Sequence, residues 1–205
     1  MPLPFPSPLL VIRHGETDWN ASGRLQGRQD IPLNGRGRAQ AEAVGHALRE
    51  RLDVATFACL SSPLQRASDT LDLILARLPG TPRSLGRDAR LMEKAFGDWE
   101  GLDMPTIAQR YPEQHAQRLA EPYTFRVPGG ESYADAAERV RPLLEALEGP
   151  TLLVAHGALI RSLLVTTGLA SPEVATRMVI HQGRWLELTA EGYEWYSAPG
   201  WDERP

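Results

Sequence analysis

Two short apolar runs in this chain end in the same dipeptide, and they constrain the fold more than any other feature of the sequence. Residues 9–12 lead through Arg13 into His14-Gly15, and residues 152–155 lead into His156-Gly157. Uninterrupted apolar runs of this length are typical of parallel strands that helices cover on both faces. Open α/β sheets bind ligands at the carboxyl edge of such strands, so we expect the two histidines to meet there.

The rest of the chain alternates between helix and strand patterns. Residues 39–52 carry apolar side chains at helical spacing, and Ser62 followed by Pro63 is the pattern of an N-cap and a first helical residue. Further strands are predicted at residues 56–60, near residues 89–91 and at residues 185–189 and 193–196, and further helices at residues 103–111, after Ser132, at residues 157–169 and from Ser171. The order predicts a three-layer α/β sandwich, with a mostly parallel central sheet flanked by helices and additional C-terminal strands.

Length and composition predict an ordinary globular protein. We expect one domain over residues 1–205, with residues 1–8 as a proline-rich N-terminal arm. The net charge of −4 and the lack of a basic run argue against nucleic-acid and membrane-surface partners. No apolar run approaches the roughly 18 residues that a membrane span needs. The single Cys59 lies in an apolar stretch, which favours a reducing, cytoplasmic location.

The positions of two arginines predict a phosphate site. Of the 22 cationic residues only Lys94 is a lysine, so the number of arginines carries no argument and only their placement does. Arg66 falls in the first turn of a predicted helix, where the helix dipole disfavours a cation unless an anion binds nearby. Arg13 leaves the first strand beside His14, and a planar guanidinium can hold two phosphate oxygens at once.

Two imidazoles beside two guanidiniums favour phosphoryl transfer. A neutral imidazole is not repelled by a phosphate dianion, so His14 is predicted to be the nucleophile, with its second ring nitrogen bonded to a backbone carbonyl. His156 would donate to a phosphoryl oxygen in the transition state. The leaving alkoxide needs a carboxylic acid with a raised pKa, and spacing alone leaves Glu93, Asp98 and Glu100 as candidates.

Five motifs follow one another along the chain, from about residue 9 to residue 157. They are Arg13-His14-Gly15-Glu16-Thr17 with Asn20, Ser61-Ser62-Pro63-Leu64 with Arg66, Ala67 and Thr70, Glu93 with Phe96-Gly97-Asp98-Trp99-Glu100-Gly101, Gly129-Gly130-Glu131-Ser132, and His156-Gly157. In this order they resemble the histidine phosphatase superfamily, in its phosphoglycerate-mutase-like branch.

The resemblance implies a role for each matching residue. His14 would be phosphorylated, and Glu93 would protonate the leaving group and later activate water. The resemblance also implies that the substrate-binding residues are Arg13, Arg66, His156 and Asn20 at the phosphate and Gln26 and Gly27 at the pocket mouth. Glu16 is expected to be structural, and Asp98 and Glu100 to belong to the scaffold or the pocket rim.

The chain also departs from the pattern of the resembled family. Mutases of this superfamily follow the acid with a basic and aromatic signature and carry longer insertions before the Gly-Gly-Glu-Ser motif, and this chain has neither, which favours a phosphatase over a mutase. Residues 180–184 differ from the asparagine-containing segment of many relatives, so we expect no pocket role for His181 or Gln182. His46 and His115 are expected to be solvated or packed.

Two other function classes remain open at this level. In one, His14, His156 and Glu93 hold a catalytic zinc, although the adjacent arginines argue against a bound cation. In the other, the chain is a non-catalytic protein that binds a phosphorylated ligand. The favoured prediction is a phosphomonoesterase that uses no metal or cofactor and acts on a small phosphorylated metabolite of unknown identity. The aromatic residues near the C-terminus, such as Trp195 and Trp201, allow a homodimer.

Overall fold

A six-stranded mixed sheet lies at the centre of the molecule. The computed structural model describes residue 5, residues 8–189 and residues 191–201. The strands are β1 (Leu9–Arg13), β2 (Ala58–Ser61), β3 (Ser84–Arg87), β4 (Thr151–Ala155), β5 (Arg184–Thr189) and β6 (Gly192–Ser197), in the spatial order β3-β2-β4-β1-β5-β6. The first four strands are parallel, and β5 and β6 are antiparallel to their neighbours. The predicted α/β sandwich is therefore confirmed.

Eight α-helices occur in the described residues and cover both faces of the sheet. They are α1 (Asp18–Ala21), α2 (Gly35–Leu48), α3 (Gln65–Leu75), α4 (Met104–Arg110), α5 (Pro112–Ala120), α6 (Tyr133–Glu145), α7 (Gly157–Thr166) and α8 (Pro172–Arg177). The helix predicted after Ser132 is α6, and it begins with a capping box, because Ser132 Oγ accepts from the Asp135 amide and the Asp135 carboxylate accepts from the Ser132 amide.

The alternation of side chains along the central strands divides the core into two layers. Leu9 and Val11 of β1 point to the face covered by α6 and α7, whereas Leu10 and Ile12 point to the face covered by α2 and α3. The four side chains are at most 4 % exposed. Both faces of β1 are therefore buried, which explains why its sequence is a continuous apolar run rather than an alternating one.

Two predicted elements differ from the structure. Residues 89–91 form a short 3-10 turn rather than a strand, because the Asp88 side chain accepts from the Arg90 amide at 2.8 Å and closes the turn. The strand in this region is β3, an exposed edge strand with no apolar alternation. Ser62 does not cap α3, which begins at Gln65, since the Gln65 amide donates to Asp30 at 2.7 Å.

The remaining predictions on organisation have mixed outcomes. Of the proline-rich arm, residues 1–4, 6 and 7 lie outside the described residues, and Phe5 packs against the core. The C-terminal hairpin is present as β5 and β6. The extent of a single domain over residues 1–205 stays a prediction. Within the part of the chain that the structure describes, no helix has the length and apolar character to cross a membrane.

Candidate active site

His14 and His156 leave the carboxyl ends of two adjacent parallel strands. Arg13 at the end of β1 is in register with Ala155 at the end of β4, and the His14 amide donates to the Ala155 carbonyl at 2.9 Å. The two imidazole rings therefore face each other, with centroids 5.0 Å apart and planes inclined by 56°. The expectation that residues 142 positions apart (156 minus 14) meet at one sheet edge is confirmed.

The environment of His14 fixes which ring nitrogen can react. Nδ1 lies 2.7 Å from the Gly15 carbonyl, which can only accept, so Nδ1 carries the proton and Nε2 keeps a free lone pair in the neutral ring. The residue is 2 % exposed. Burial, followed by the charges of Arg66 and Arg13, lowers the pKa of His14 well below its usual range. His14 is thus a neutral imidazole with one available nitrogen, as predicted.

His156 is fully buried, and neither of its ring nitrogens has a hydrogen-bond partner. Burial and the neighbouring charges of Arg66, His14 and Arg13 lower its pKa well below the usual range. Buried polar atoms in proteins are almost always hydrogen-bonded, so an unpartnered imidazole indicates a position for a ligand. A neutral His156 can donate one hydrogen bond to an oxygen of that ligand.

Neutral oxygens hold the two predicted phosphate-binding guanidiniums. Arg13 Nη1 donates to the Ile180 carbonyl at 2.7 Å, and Arg66 donates to the carbonyls of Gln29 at 2.6 Å and Gly27 at 2.8 Å. The Nε atom of each arginine is buried and has no partner. Desolvation lowers the pKa of Arg66, and it lowers that of Arg13 to about 10, which leaves Arg13 a cation at neutral pH.

Arginines elsewhere in the described chain are paired differently. Arg28 and Arg139 donate to Glu131, and Arg90 pairs with Asp88 at 2.6 Å. A bonded carboxylate offsets the charge of a guanidinium directly, whereas a bonded carbonyl only fixes its geometry. Arg13 and Arg66 have carbonyl partners, and Glu93 acts on both through space, so their unpartnered N–H groups remain available to an anion.

Glu93 lies at the N-terminus of α7, beside the second histidine. Its carboxylate accepts from the amides of Lys94 at 2.8 Å, Leu159 at 3.0 Å and Ala158 at 3.1 Å, and the residue is 8 % exposed. Three backbone N–H donors at the start of α7 and at Lys94 fix the position of the Glu93 side chain beside the pocket. Its expected role as the acid stays a prediction.

One pocket of about 140 Å³ joins most of these groups. Seven of the eight predicted site residues line it: Arg13, His14, Asn20, Gln26, Gly27, Arg66 and Glu93. His156 lies next to it, against the His14 ring. The buried Oε1 atom of Gln26 has no hydrogen-bond partner.

Two residues that sequence reasoning did not assign to the pocket lie in it or beside it. Gln182 does not line the pocket, but its Nε2 donates to Asn20 Oδ1 at 2.9 Å, and its expected lack of a pocket role stays a prediction. Arg161 lines the pocket from α7. The spacing of Gly157 and Arg161, four residues apart on a helix, was a usable signal because such residues share one face.

The remaining candidates lie at the edge of the site or away from it. Glu100 accepts from the Arg28 and Phe96 amides, both at 3.0 Å, and so links the pocket-mouth loop to the segment that follows Glu93. Glu16 accepts from Asn34, and Asp98 and His46 are exposed. Among the described residues, no three or more His, Cys, Asp or Glu form a group able to hold a metal ion.

Comparisons with known proteins agree with this geometry. The family model described as "Histidine phosphatase superfamily (branch 1)" matches residues 9–198. A 2,3-bisphosphoglycerate-dependent phosphoglycerate mutase 2 from Gloeobacter violaceus is 36% identical over 182 residues, which cover 84% of this chain and 80% of that protein. A glucosyl-3-phosphoglycerate phosphatase from Mycobacterium tuberculosis is 38% identical over 170 residues, which cover 76% of this chain and 72% of that protein.

A solved structure gives the same result for the fold. The structure of a mycobacterial glucosyl-3-phosphoglycerate phosphatase complexed with VO3 superimposes with a TM-score of 0.77 at 33% sequence identity, over 92% of this chain and 95% of that chain. The sequence comparison and the structural comparison therefore agree on relatives of the same kind.

Proposed function

The chain belongs to the histidine phosphatase superfamily (branch 1), and from this premise we propose that it is a phosphatase that hydrolyses a phosphomonoester through a phosphohistidine on His14. The observation that carries the proposal is a set of buried, unpartnered nitrogen atoms around one imidazole. Arg13 Nε, Arg66 Nε and both ring nitrogens of His156 have no protein partner, and His14 Nε2 has a free lone pair beside them. A tetrahedral phosphoryl group supplies the acceptors that this arrangement lacks.

In the first half-reaction, His14 Nε2 forms a bond to phosphorus and the bond from phosphorus to the alkoxide oxygen breaks. Glu93 in its protonated form gives its proton to the leaving oxygen, so that an alcohol departs. Nδ1 stays protonated and keeps its hydrogen bond to Gly15 throughout. Arg13, Arg66 and His156 donate to the equatorial oxygens, where negative charge spreads in the transition state.

In the second half-reaction, water attacks the phosphorus of the phosphohistidine and the bond from nitrogen to phosphorus breaks. The Glu93 carboxylate accepts a proton from this water, and inorganic phosphate leaves with His14 restored to its neutral form. Glu93 therefore ends each cycle protonated and ready for the next leaving group.

A mutase is the second candidate, because several of the similar proteins are phosphoglycerate mutases. A mutase must return the phosphoryl group to a reoriented intermediate, whereas a phosphatase needs only to admit water to the phosphohistidine. The residues after the acid, Lys94-Ala95-Phe96-Gly97, lack the mutase signature, which supports the phosphatase.

The deciding experiment follows the phosphorus nucleus directly. With 3-phosphoglycerate and a trace of 2,3-bisphosphoglycerate, ³¹P NMR distinguishes inorganic phosphate from 2-phosphoglycerate. Inorganic phosphate as the main product supports the phosphatase, and accumulation of 2-phosphoglycerate ahead of phosphate release would establish the mutase. Release of phosphate from phenyl phosphate by the wild type, lost in His14→Ala, tests the nucleophile. No phosphate release from either substrate would favour the non-catalytic binding protein.

The metal-free part of the proposal has its own measurement. Hydrolysis of phenyl phosphate that is unchanged after exhaustive treatment with a chelator supports the arginine-based mechanism. Loss of activity that returns on adding zinc would show instead that His14, His156 and Glu93 are ligands of a metal ion. A small phosphorylated metabolite as substrate, a cytoplasmic location, a possible homodimer and the absence of nucleic-acid and membrane partners stay predictions.

A further inference from the structure

Glu93 lies in a segment without regular secondary structure. Residues 93–96 belong to no helix or strand, so no hydrogen-bond ladder fixes their backbone. The Glu93 side chain reaches across to the amides of Ala158 and Leu159 at the start of α7. A general acid has to stand within hydrogen-bond reach of the oxygen that it protonates. The backbone on both sides of Glu93 must therefore be held by other parts of the fold.

The side chain of Glu131 holds the residues that follow Glu93. Its Oε2 accepts from the Ala95 amide at 2.9 Å. The same carboxylate accepts from Arg139 Nε at 2.8 Å and Arg139 Nη2 at 3.0 Å, the bidentate arrangement that fixes the orientation of a guanidinium. It also accepts from Arg28 Nη2 at 3.1 Å. Four hydrogen bonds thus meet on one carboxylate.

The residue before Glu93 is held through the same two arginines. Arg139 Nη1 donates to the Met92 carbonyl at 3.0 Å, and Arg28 Nη1 donates to the Met92 sulfur at 3.2 Å. Both guanidiniums are bonded to Glu131. Removing the Glu131 carboxylate would therefore loosen the chain on both sides of Glu93 at once.

The surroundings of Glu131 give this network a fixed geometry. The side chains of Glu131 and Arg139 are only 21 % and 19 % exposed, and a bidentate pair that is mostly buried is held more firmly than an ion pair at the surface. Desolvation alone would raise the pKa of Glu131, but the hydrogen bonds from Arg139 and the Ala95 amide outweigh it and lower that pKa. Glu131 does not line the pocket, so it can act on the reaction only through the residues that it holds.

We propose that Glu131 is a positioning residue, which holds Glu93 where its proton can reach the leaving oxygen. This role rests on the proposed phosphatase function and refines its acid step, since Glu131 itself exchanges no proton and touches no substrate. Misplacing a reacting group by about 1 Å can cost about 100-fold in rate. The loss on removing the Glu131 carboxylate should therefore depend on how strongly the leaving group needs a proton.

Two substrates that differ in this need test the role. Glu131→Gln keeps the size of the side chain, but its NH₂ group cannot accept from the facing N–H donors. The main-chain bond from the Glu131 amide to the Ala95 carbonyl, at 2.9 Å, is unaffected. We expect kcat/KM to fall about 10- to 100-fold for glycerol 3-phosphate, whose alkoxide needs a proton. For p-nitrophenyl phosphate, whose leaving group departs as a stable anion, the loss should stay below about 3-fold.

A double variant distinguishes positioning of the acid from general support of the fold. In a Glu93→Gln background the acid is already absent, so adding Glu131→Gln should lower kcat/KM for glycerol 3-phosphate by less than about 3-fold. As a control, Glu138→Gln removes a carboxylate from another ion pair of α6, the one with Arg141, and should leave both substrates within about 2-fold of the wild type.

Arg139→Lys provides the same test if Glu131→Gln does not fold. It keeps the positive charge without the planar donor pair, so it should lower kcat/KM for glycerol 3-phosphate more than for p-nitrophenyl phosphate, and only where Glu93 is present. Melting curves set the assay temperature for each variant well below its Tm, so that every rate is that of folded enzyme.

The outcomes separate this role from the proposed function. Equal losses on both substrates in Glu131→Gln, no loss on either, or a loss in the double variant as large as in the single one would overturn the positioning role and leave the phosphatase standing. No phosphate release from either substrate by the wild type would refute the phosphatase and the positioning role together.

Discussion

Replacing Glu93 with glutamine removes the proposed acid while keeping the shape of the side chain. The departing alkoxide of glycerol 3-phosphate needs a proton, whereas the p-nitrophenolate of p-nitrophenyl phosphate leaves as a stable anion. We therefore expect kcat/KM to fall about 10²- to 10⁴-fold for glycerol 3-phosphate and less than about 10-fold for p-nitrophenyl phosphate. The ratio of the two losses measures the contribution of the proton.

The structure also gives the cost of Glu93→Gln in stability. One carboxylate oxygen accepts from the Lys94 and Leu159 amides and the other from the Ala158 amide. The amide oxygen of glutamine can keep the first two bonds, but its NH₂ group then faces the Ala158 N–H and leaves that buried donor unpaired. One unpaired buried donor costs about 1–3 kcal/mol, or a decrease in Tm of about 2–12 °C for a chain of this size.

The assay must separate the two half-reactions, because Glu93 also activates the water that cleaves the phosphohistidine. kcat/KM reports only the steps up to loss of the leaving group, so slow dephosphorylation does not enter it. For p-nitrophenyl phosphate, Glu93→Gln should therefore show a burst of p-nitrophenol followed by slow turnover. Asp98→Asn changes an exposed carboxylate in the same segment and should leave both substrates within about 2-fold. Equal losses of kcat/KM on both substrates in Glu93→Gln would refute the acid role.

Three further predictions concern the buried pocket. Inorganic phosphate at about 100 times its Kd should stabilise the wild type by about 2.7 kcal/mol, and a Tm increase that persists in Arg66→Met would place the anion elsewhere. The pKa values of His14 and His156 are lowered in the folded state, so the unfolded chain binds more protons than the folded one below about pH 6.5. The free energy of unfolding should therefore fall on acidification by up to about 1.4 kcal/mol per pH unit for each histidine. Denaturant unfolding at several pH values measures this slope, and His156→Leu should reduce it. His156→Leu removes two unpartnered buried nitrogens, so it should lower kcat/KM at least about 100-fold without lowering Tm. A clear decrease in Tm would show that the imidazole has a structural role.

The central sheet and the paired histidines could be predicted because their signals are local. A buried parallel strand needs apolar side chains on both faces, so Leu9 to Ile12 is recognisable in the sequence alone. The hydrogen bond from His14 to Gly15 is also local, since its partners are adjacent in the chain. Family resemblance then selected Glu93 among three carboxylates, a choice that spacing had left open.

The features that were missed depend on contacts between distant segments. The first amide of α3 is capped by Asp30, which is 35 residues before Gln65, so Ser62 and Pro63 gave a misleading start. Strand β3 is polar and exposed at the sheet edge, and only its pairing with β2 defines it. Gln182 reaches Asn20 across 162 residues. No periodicity in a single sequence encodes such pairings.

In a chain with so many arginines, the partner of each guanidinium distinguishes structural roles from binding roles. Glu131 forms ion pairs with both Arg28 and Arg139, and an ion-paired cation has less attraction left for a ligand. Arg13 and Arg66 are hydrogen-bonded to uncharged oxygens, and the nearby Glu93 carboxylate acts on both only through space, against the cost of their desolvation. A folded protein tolerates such a cluster where a bound anion completes it, so the unpaired charges at one sheet edge are themselves the evidence for an anionic substrate.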